Sequence, residues 1–93
     1  MDELSLYRSE IDQIDIQMKN LFIKRMEIVK KITKWKMKHN YPIFDSNREK
    51  FVVEQNSKDI VHSPHHDTYV AFLNSLLALS KEYQNQLMEE MNP

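Results

Sequence analysis

LSLYRSEIDQIDIQMKNLFIKRMEIVKKITKW, residues 4–35, decides the fold of this chain. Apolar side chains recur in it at alternating three- and four-residue steps, through Leu4, Tyr7, Ile11, Ile14, Met18, Leu21, Ile28, Ile32 and Trp35. That spacing keeps one face of a single α-helix apolar over about nine turns. One slot of the series holds Arg25 instead of an apolar residue. A guanidinium on a buried seam is costly unless something anionic meets it. Two explanations stand: a buried pair with an acid such as Asp15 or Glu49, or a site for an anionic ligand.

Outward from this segment, the composition narrows the class. The chain has 93 residues, a formal net charge of -1 and 41% hydrophobic residues, which describes one globular domain over 1–93 and neither a polyanion binder by bulk charge nor a disordered tail. There is no cysteine, which removes disulfides, thiolate nucleophiles and Cys-ligated zinc and suits a reducing compartment. There is no glycine either, against a usual level of about 7%. Gly-rich phosphate loops and dinucleotide fingerprints are thereby excluded, and helices joined by few short turns are favoured. No apolar stretch approaches the ~18 residues of a membrane span, and the chain opens on Asp2 and Glu3. A cytoplasmic protein without a targeting segment is expected.

Three helices account for the rest. The first is expected from about residue 4 to 39, ending before Tyr41-Pro42, since a residue ahead of proline is pushed out of helical geometry. The second is expected from about 46 to 60, with Ser46 and Glu49 as a capping box. The third is expected from about 64 to 91, with Ser63 as N-cap and Pro64 in its first turn, or starting a few residues later. Its apolar stripe takes in Tyr69, Phe72, Leu73, Leu76, Leu77, Tyr83, Leu87, Met88 and Met91.

A helix of ~36 residues spans about 54 Å. A compact chain of this size has a radius of gyration near 12 Å. The first helix is too long for a monomeric globule, so an intertwined helical homodimer that covers the protruding seam is expected.

Arg25 and Lys36 are eleven residues apart, which is three turns plus about 20°. They share a face with backbones ~16 Å apart, leaving room for a small dianion between their side chains. Arg8 lies about 26 Å from Arg25 along the same helix and can reach such a pocket only from a partner chain. Ser80 and Gln84, spaced i, i+4, interrupt the third helix's stripe with uncharged hydrogen-bonding groups. Asp45, Arg48 and Glu49 lie on one side at the start of the second helix. Each has an ordinary structural explanation: a salt bridge for Arg25, snorkelling or helix-dipole complementation for Lys36, and helix capping for Glu49. Several interruptions together are more economically explained by one ligand pocket built from three helices.

The strings LYRSEIDQID (6–15), KRM (24–26), KWK (34–36), PIFDSNRE (42–49) and LSKEYQ (79–84) resemble the all-helical chorismate mutases over essentially the whole chain. The resemblance implies a dimeric all-α isomerase that converts chorismate to prephenate by a Claisen rearrangement, in phenylalanine and tyrosine biosynthesis. It implies that Arg25 and, from the partner subunit, Arg8 bind substrate carboxylates, and that Lys36 and Gln84 donate to the ether oxygen. Glu49 matches the acid on the ring hydroxyl, with Asp45 and Arg48 as its neighbours, and Ser80 the serine near the ring carboxylate. Lys81 stands where many relatives have arginine. The concerted rearrangement requires no nucleophile, metal or cofactor, and none is expected.

Other functions are weighed against this. The same scaffold also supports isochorismate-pyruvate lyase activity, against which the Asp45-x-x-Arg48-Glu49 segment favours the mutase. A catalytically silent regulatory or interaction domain is a further alternative. Lys30, Lys31, Lys34, Lys36 and Lys38 around Trp35 suggest a basic nucleic-acid face, but the slightly negative net charge and the helix dipole speak against it, and no nucleic-acid partner is expected. His62, His65 and His66 read as a solvated turn in preference to a metal site.

Overall fold

The computed structural model describes residues 2–91. They form helix α1 over Glu3–Lys38, α2 over Ser46–Ser57, a 3-10 turn over Lys58–Ile60, and α3 over His66–Met91. The fold is all-α, with α1 and α2 each packed against α3. Among the described residues no helix is long and apolar enough to cross a membrane.

Capping residues explain where the helices begin and end. Asp2 caps α1, its side chain accepting the Ser5 backbone N–H at 2.7 Å. That hydrogen bond holds the Asp2 carboxyl below its ordinary value of 3.8. At the other end Asn40 adopts a left-handed φ of 52°. The Tyr41 N–H then reaches the Lys36 carbonyl at 2.8 Å and the Asn40 N–H the Met37 carbonyl at 3.5 Å, which is the Schellman closure. In a chain without glycine, asparagine is the residue best able to take that conformation. The turn sends Tyr41–Phe44 back over the last turn of α1.

The second helix begins differently from the expected capping box. Asp45, not Ser46, is the N-cap, and its carboxylate accepts the Arg48 N–H at 3.0 Å. Ser46 thereby becomes the first helical residue and Glu49 falls one position beyond the box, so its carboxylate is available elsewhere. Ser63 organises the turn before α3: its hydroxyl accepts the His65 N–H at 3.1 Å and its carbonyl the His66 N–H at 3.2 Å. The α-helix itself starts at His66, a few residues past Pro64.

The described residues measure 55 × 30 × 15 Å, and the long axis matches the length of α1. Their radius of gyration is 16.9 Å, well above the ~12 Å of a compact chain of this size. Every residue from Asp2 to Lys24 is exposed. Further along, α1 buries Thr33 completely and Arg25, Met26, Val29, Lys36 and Met37 in part. Ile28, Ile32 and Trp35, members of the apolar series, stay about half exposed. α1 thus meets its own chain with a face rotated by roughly 100° from the expected seam. Thr33 accounts for the difference, because its small side chain satisfies its hydroxyl on the Val29 carbonyl at 2.8 Å and so fits a close helix contact.

On α3 the buried row is Leu73, Ser80 and Leu87, at seven-residue intervals. Phe72, expected in the stripe, is 47% exposed. Leu73 and Leu87 are the only buried large apolar residues among the described residues.

Candidate active site

Arg25 does not meet an acid. Its Nη1 donates to the Ser80 hydroxyl at 2.6 Å, and neither Asp15 nor Glu49 takes part. The Ser80 hydroxyl in turn donates to the Leu76 carbonyl at 2.9 Å, so a helix-interior serine serves as donor and acceptor at once. Among the described residues no carboxylate oxygen lies within 4.0 Å of the side-chain nitrogens of Arg25, Lys36 or Arg48. Their charges are left to water or to a ligand.

Lys36 is held by the turn that follows its own helix. Its ammonium donates to the Ile43 carbonyl at 3.1 Å and sits 5.8 Å from the Tyr41 ring centroid. The left-handed Asn40 is what returns Tyr41 and Ile43 to that position. A lysine ammonium has three donors, so the contact with Ile43 leaves two for a ligand.

Helix α2 supplies Asp45, Arg48 and Glu49. Asp45 is engaged as the N-cap. The Arg48 guanidinium lies 5.2 Å from the Phe51 ring centroid, a cation–π distance. Glu49 pairs across to α3, its Oε1 lying 3.2 Å from the Lys81 Nζ.

These side chains enclose a cavity of about 370 Å³. Arg25, Lys36, Asp45, Arg48, Glu49, Ser80 and Gln84 line it, so seven of the eight candidate residues converge from three helices. Arg8 is exposed and is not among the lining residues of its own chain. Val29, Ile32, Val52 and Leu77 form apolar walls, and Tyr41, Ile43 and Phe44 enter from the connecting turn. Apolar walls with a few convergent polar groups characterise small-ligand sites. Ile32 and Leu77 belong to the apolar rows expected from sequence, whereas Val29 and Val52 were not singled out and look like any other apolar helix position. The Tyr41–Phe44 turn carried a signal: three apolar residues around a proline, directly after a helix bearing two candidate cations.

The fold and the cavity define an all-helical protein whose three helices gather three cations, two carboxylates, a serine and a glutamine against apolar walls. More particularly, the chain belongs to the chorismate mutase type II family, whose model matches residues 7–85. It is 43% identical over 49 residues to the T-protein of Haemophilus influenzae, a stretch covering 53% of this chain and 13% of that protein. It is 41% identical over 54 residues to a bifunctional chorismate mutase/prephenate dehydratase of Buchnera aphidicola, covering 58% of this chain and 14% of that one. The chain thus corresponds to a small part of the length of either relative. No solved structure matches it significantly.

Proposed function

We propose that the chain is a chorismate mutase, acting in phenylalanine and tyrosine biosynthesis as a homodimer with shared active sites. Family membership supports the activity, and the observation that carries it to these residues is the cavity in which the charged groups of Arg25, Lys36 and Arg48 have no carboxylate within 4.0 Å among the described residues. Chorismate is a dianion of a size suited to that cavity. In the rearrangement one C–O bond breaks and one C–C bond forms within the same molecule, so no proton has to be transferred.

Each side chain then has a task set by its chemistry. Arg25, backed by Ser80, binds one carboxylate, and Arg8 of the second subunit binds the other. Fixing both ends holds the flexible enolpyruvyl arm over the ring, which removes entropy from the barrier in advance. Lys36 and Gln84 donate to the ether oxygen as negative charge builds on it. Glu49 accepts from the ring hydroxyl, and Arg48 and Asp45 border that end. Apolar walls at Val29, Ile32 and Leu77 keep water off the ring and strengthen these interactions.

The dimer is supported by the exposure of Leu4, Tyr7, Ile11, Ile14, Met18 and Leu21, the last at 66%. A contiguous apolar surface of this length is not left to water by a soluble chain. Two buried leucines also do not offset the conformational entropy of ordering three helices, so folding draws on burial against a second copy. A cytoplasmic location goes with this reading, since the cysteine-free composition suits a reducing compartment.

The purified chain is to be incubated with chorismate and, separately, with isochorismate. Loss of chorismate absorbance with formation of prephenate is the expected result. Salicylate and pyruvate from isochorismate, without prephenate from chorismate, indicate the lyase instead. No turnover of either by a folded, dimeric sample leaves a silent helical domain.

A further inference from the structure

Five charged groups line the cavity, and each of the two acids is tied away from the three cations. Asp45 is engaged by the Arg48 backbone N–H as the cap of α2. Glu49 is engaged by Lys81, which does not line the cavity. Lys81 and Glu49 both line a neighbouring hollow, together with Lys50 and Val53. The Lys81 ammonium also lies 5.9 Å from the ring centroid of Phe44, a cavity wall. Lys50 borders the same hollow, yet within 4.0 Å Lys81 is the one cation on Glu49 among the described residues.

Removing Lys81 leaves the Glu49 carboxylate beside a cavity that contains three cations without acidic partners. Opposite charges in a partly apolar pocket attract strongly, and Glu49 on its flexible stem turns inward to the nearest of them. It then occupies the donors that a substrate carboxylate or ether oxygen needs. The Lys81–Glu49 pair is half exposed, at 46% and 33% of the side chains, so its worth to folding is small. Its consequence lies in the site.

We infer that Lys81 is a positioning residue of this active site, holding Glu49 on the cavity rim so that Arg25, Lys36 and Arg48 remain free for the substrate's anionic groups. This rests on the mutase reading, and the experiment separates the two. Kinetics of chorismate turnover are measured for wild type, Lys81→Met, Lys81→Arg, Glu49→Gln and the double variant Lys81→Met/Glu49→Gln.

Lys81→Met is expected to lower kcat/KM about 10-fold, with the helical circular dichroism spectrum unchanged. Lys81→Arg, which keeps the charge, is expected within about 3-fold of wild type. In the Glu49→Gln background, where residue 49 has no carboxylate to turn inward, Lys81→Met is expected to change kcat/KM by less than about 2-fold. A loss that persists in the Glu49→Gln background, or that arginine fails to repair, or no loss at all, overturns the inference. A wild-type chain without turnover overturns the mutase reading alone. Lys81 is then decided by a crystal structure of Lys81→Met: Glu49 paired with a cavity cation supports the positioning role, and Glu49 directed to solvent overturns it.

Discussion

The Arg25 guanidinium donates to the Ser80 hydroxyl at 2.6 Å, and this neutral partner is what the fold supplies to a cation on the inner side of a long helix. A hydroxyl orients a guanidinium without neutralising it. Such a charge contributes little to folding and is poised for an external anion.

Replacing Arg25 by Met therefore separates folding from activity. Arg25→Met is expected to leave the thermal midpoint unchanged or a few degrees higher, since an unneutralised charge is exchanged for an apolar chain of similar length. Chorismate turnover is expected to fall by at least about 100-fold. Circular dichroism melting and the absorbance assay check both halves, and a large drop in midpoint would show that the guanidinium is structural.

Lys36 is anchored to the Ile43 carbonyl, with hydrogen-bonding capacity left for a ligand. Lys36→Ala is expected to lower kcat by about 100- to 1,000-fold with a much smaller effect on unfolding. Turnover within a few-fold of wild type would sink its catalytic role.

Arg8 is exposed and outside the cavity of its own chain, so the role proposed for it requires a second subunit. Arg8→Ala and Arg25→Ala are each expected to be inactive alone. Mixed, unfolded and reassociated, they are expected to recover about one quarter of wild-type activity, because half of the dimers are mixed and each of these has one intact site. Verified mixed dimers without activity would falsify the shared site.

Leu21 is 66% exposed in a single chain and sits mid-seam in the expected interface. Leu21→Glu is harmless to a monomer and places a charge in the core of a dimer. Light scattering at micromolar concentration is expected to give twice the 11.2 kDa chain mass for wild type and a dissociated, less helical species for the variant. An 11.2 kDa wild type, or an unaffected variant, goes against the interface.

Asp45 serves α2 as N-cap through a carboxylate oxygen that asparagine reproduces. Asp45→Ala is expected to cost about 1 kcal/mol of stability, and Asp45→Asn close to nothing. Urea unfolding measures both. Activity lost in Asp45→Asn at full stability would assign the charge, and not the cap, to the substrate.

Much of the fold was legible because helix formation is local. The three- and four-residue rhythm of α1, the absence of glycine and the Tyr41-Pro42 break depend on neighbours within a turn or two. The candidate site was legible for a related reason: Arg25, Ser80 and Gln84 are polar residues in apolar rows, where an interruption stands out, and Lys36 falls on nearly the same helix face as Arg25. The capping box at Ser46 and Glu49 was misassigned because Asp45, one residue earlier, offers a carboxylate acceptor to the same backbone.

By itself the sequence determined an all-helical chain with a first helix of about 54 Å and with Arg25 and Lys36 on nearly one face of it. Only the tertiary structure decided that α1 meets its own chain through Thr33 and its neighbours, leaving Ile28, Ile32 and Trp35 half exposed. It alone paired Arg25 with Ser80, 55 residues away, and Glu49 with Lys81. Spacing along a helix is set by the backbone's own repeat, whereas partners across helices depend on how each helix is rotated. That rotation is set by where small side chains such as Thr33 permit close contact and by where a left-handed Asn40 turns the chain.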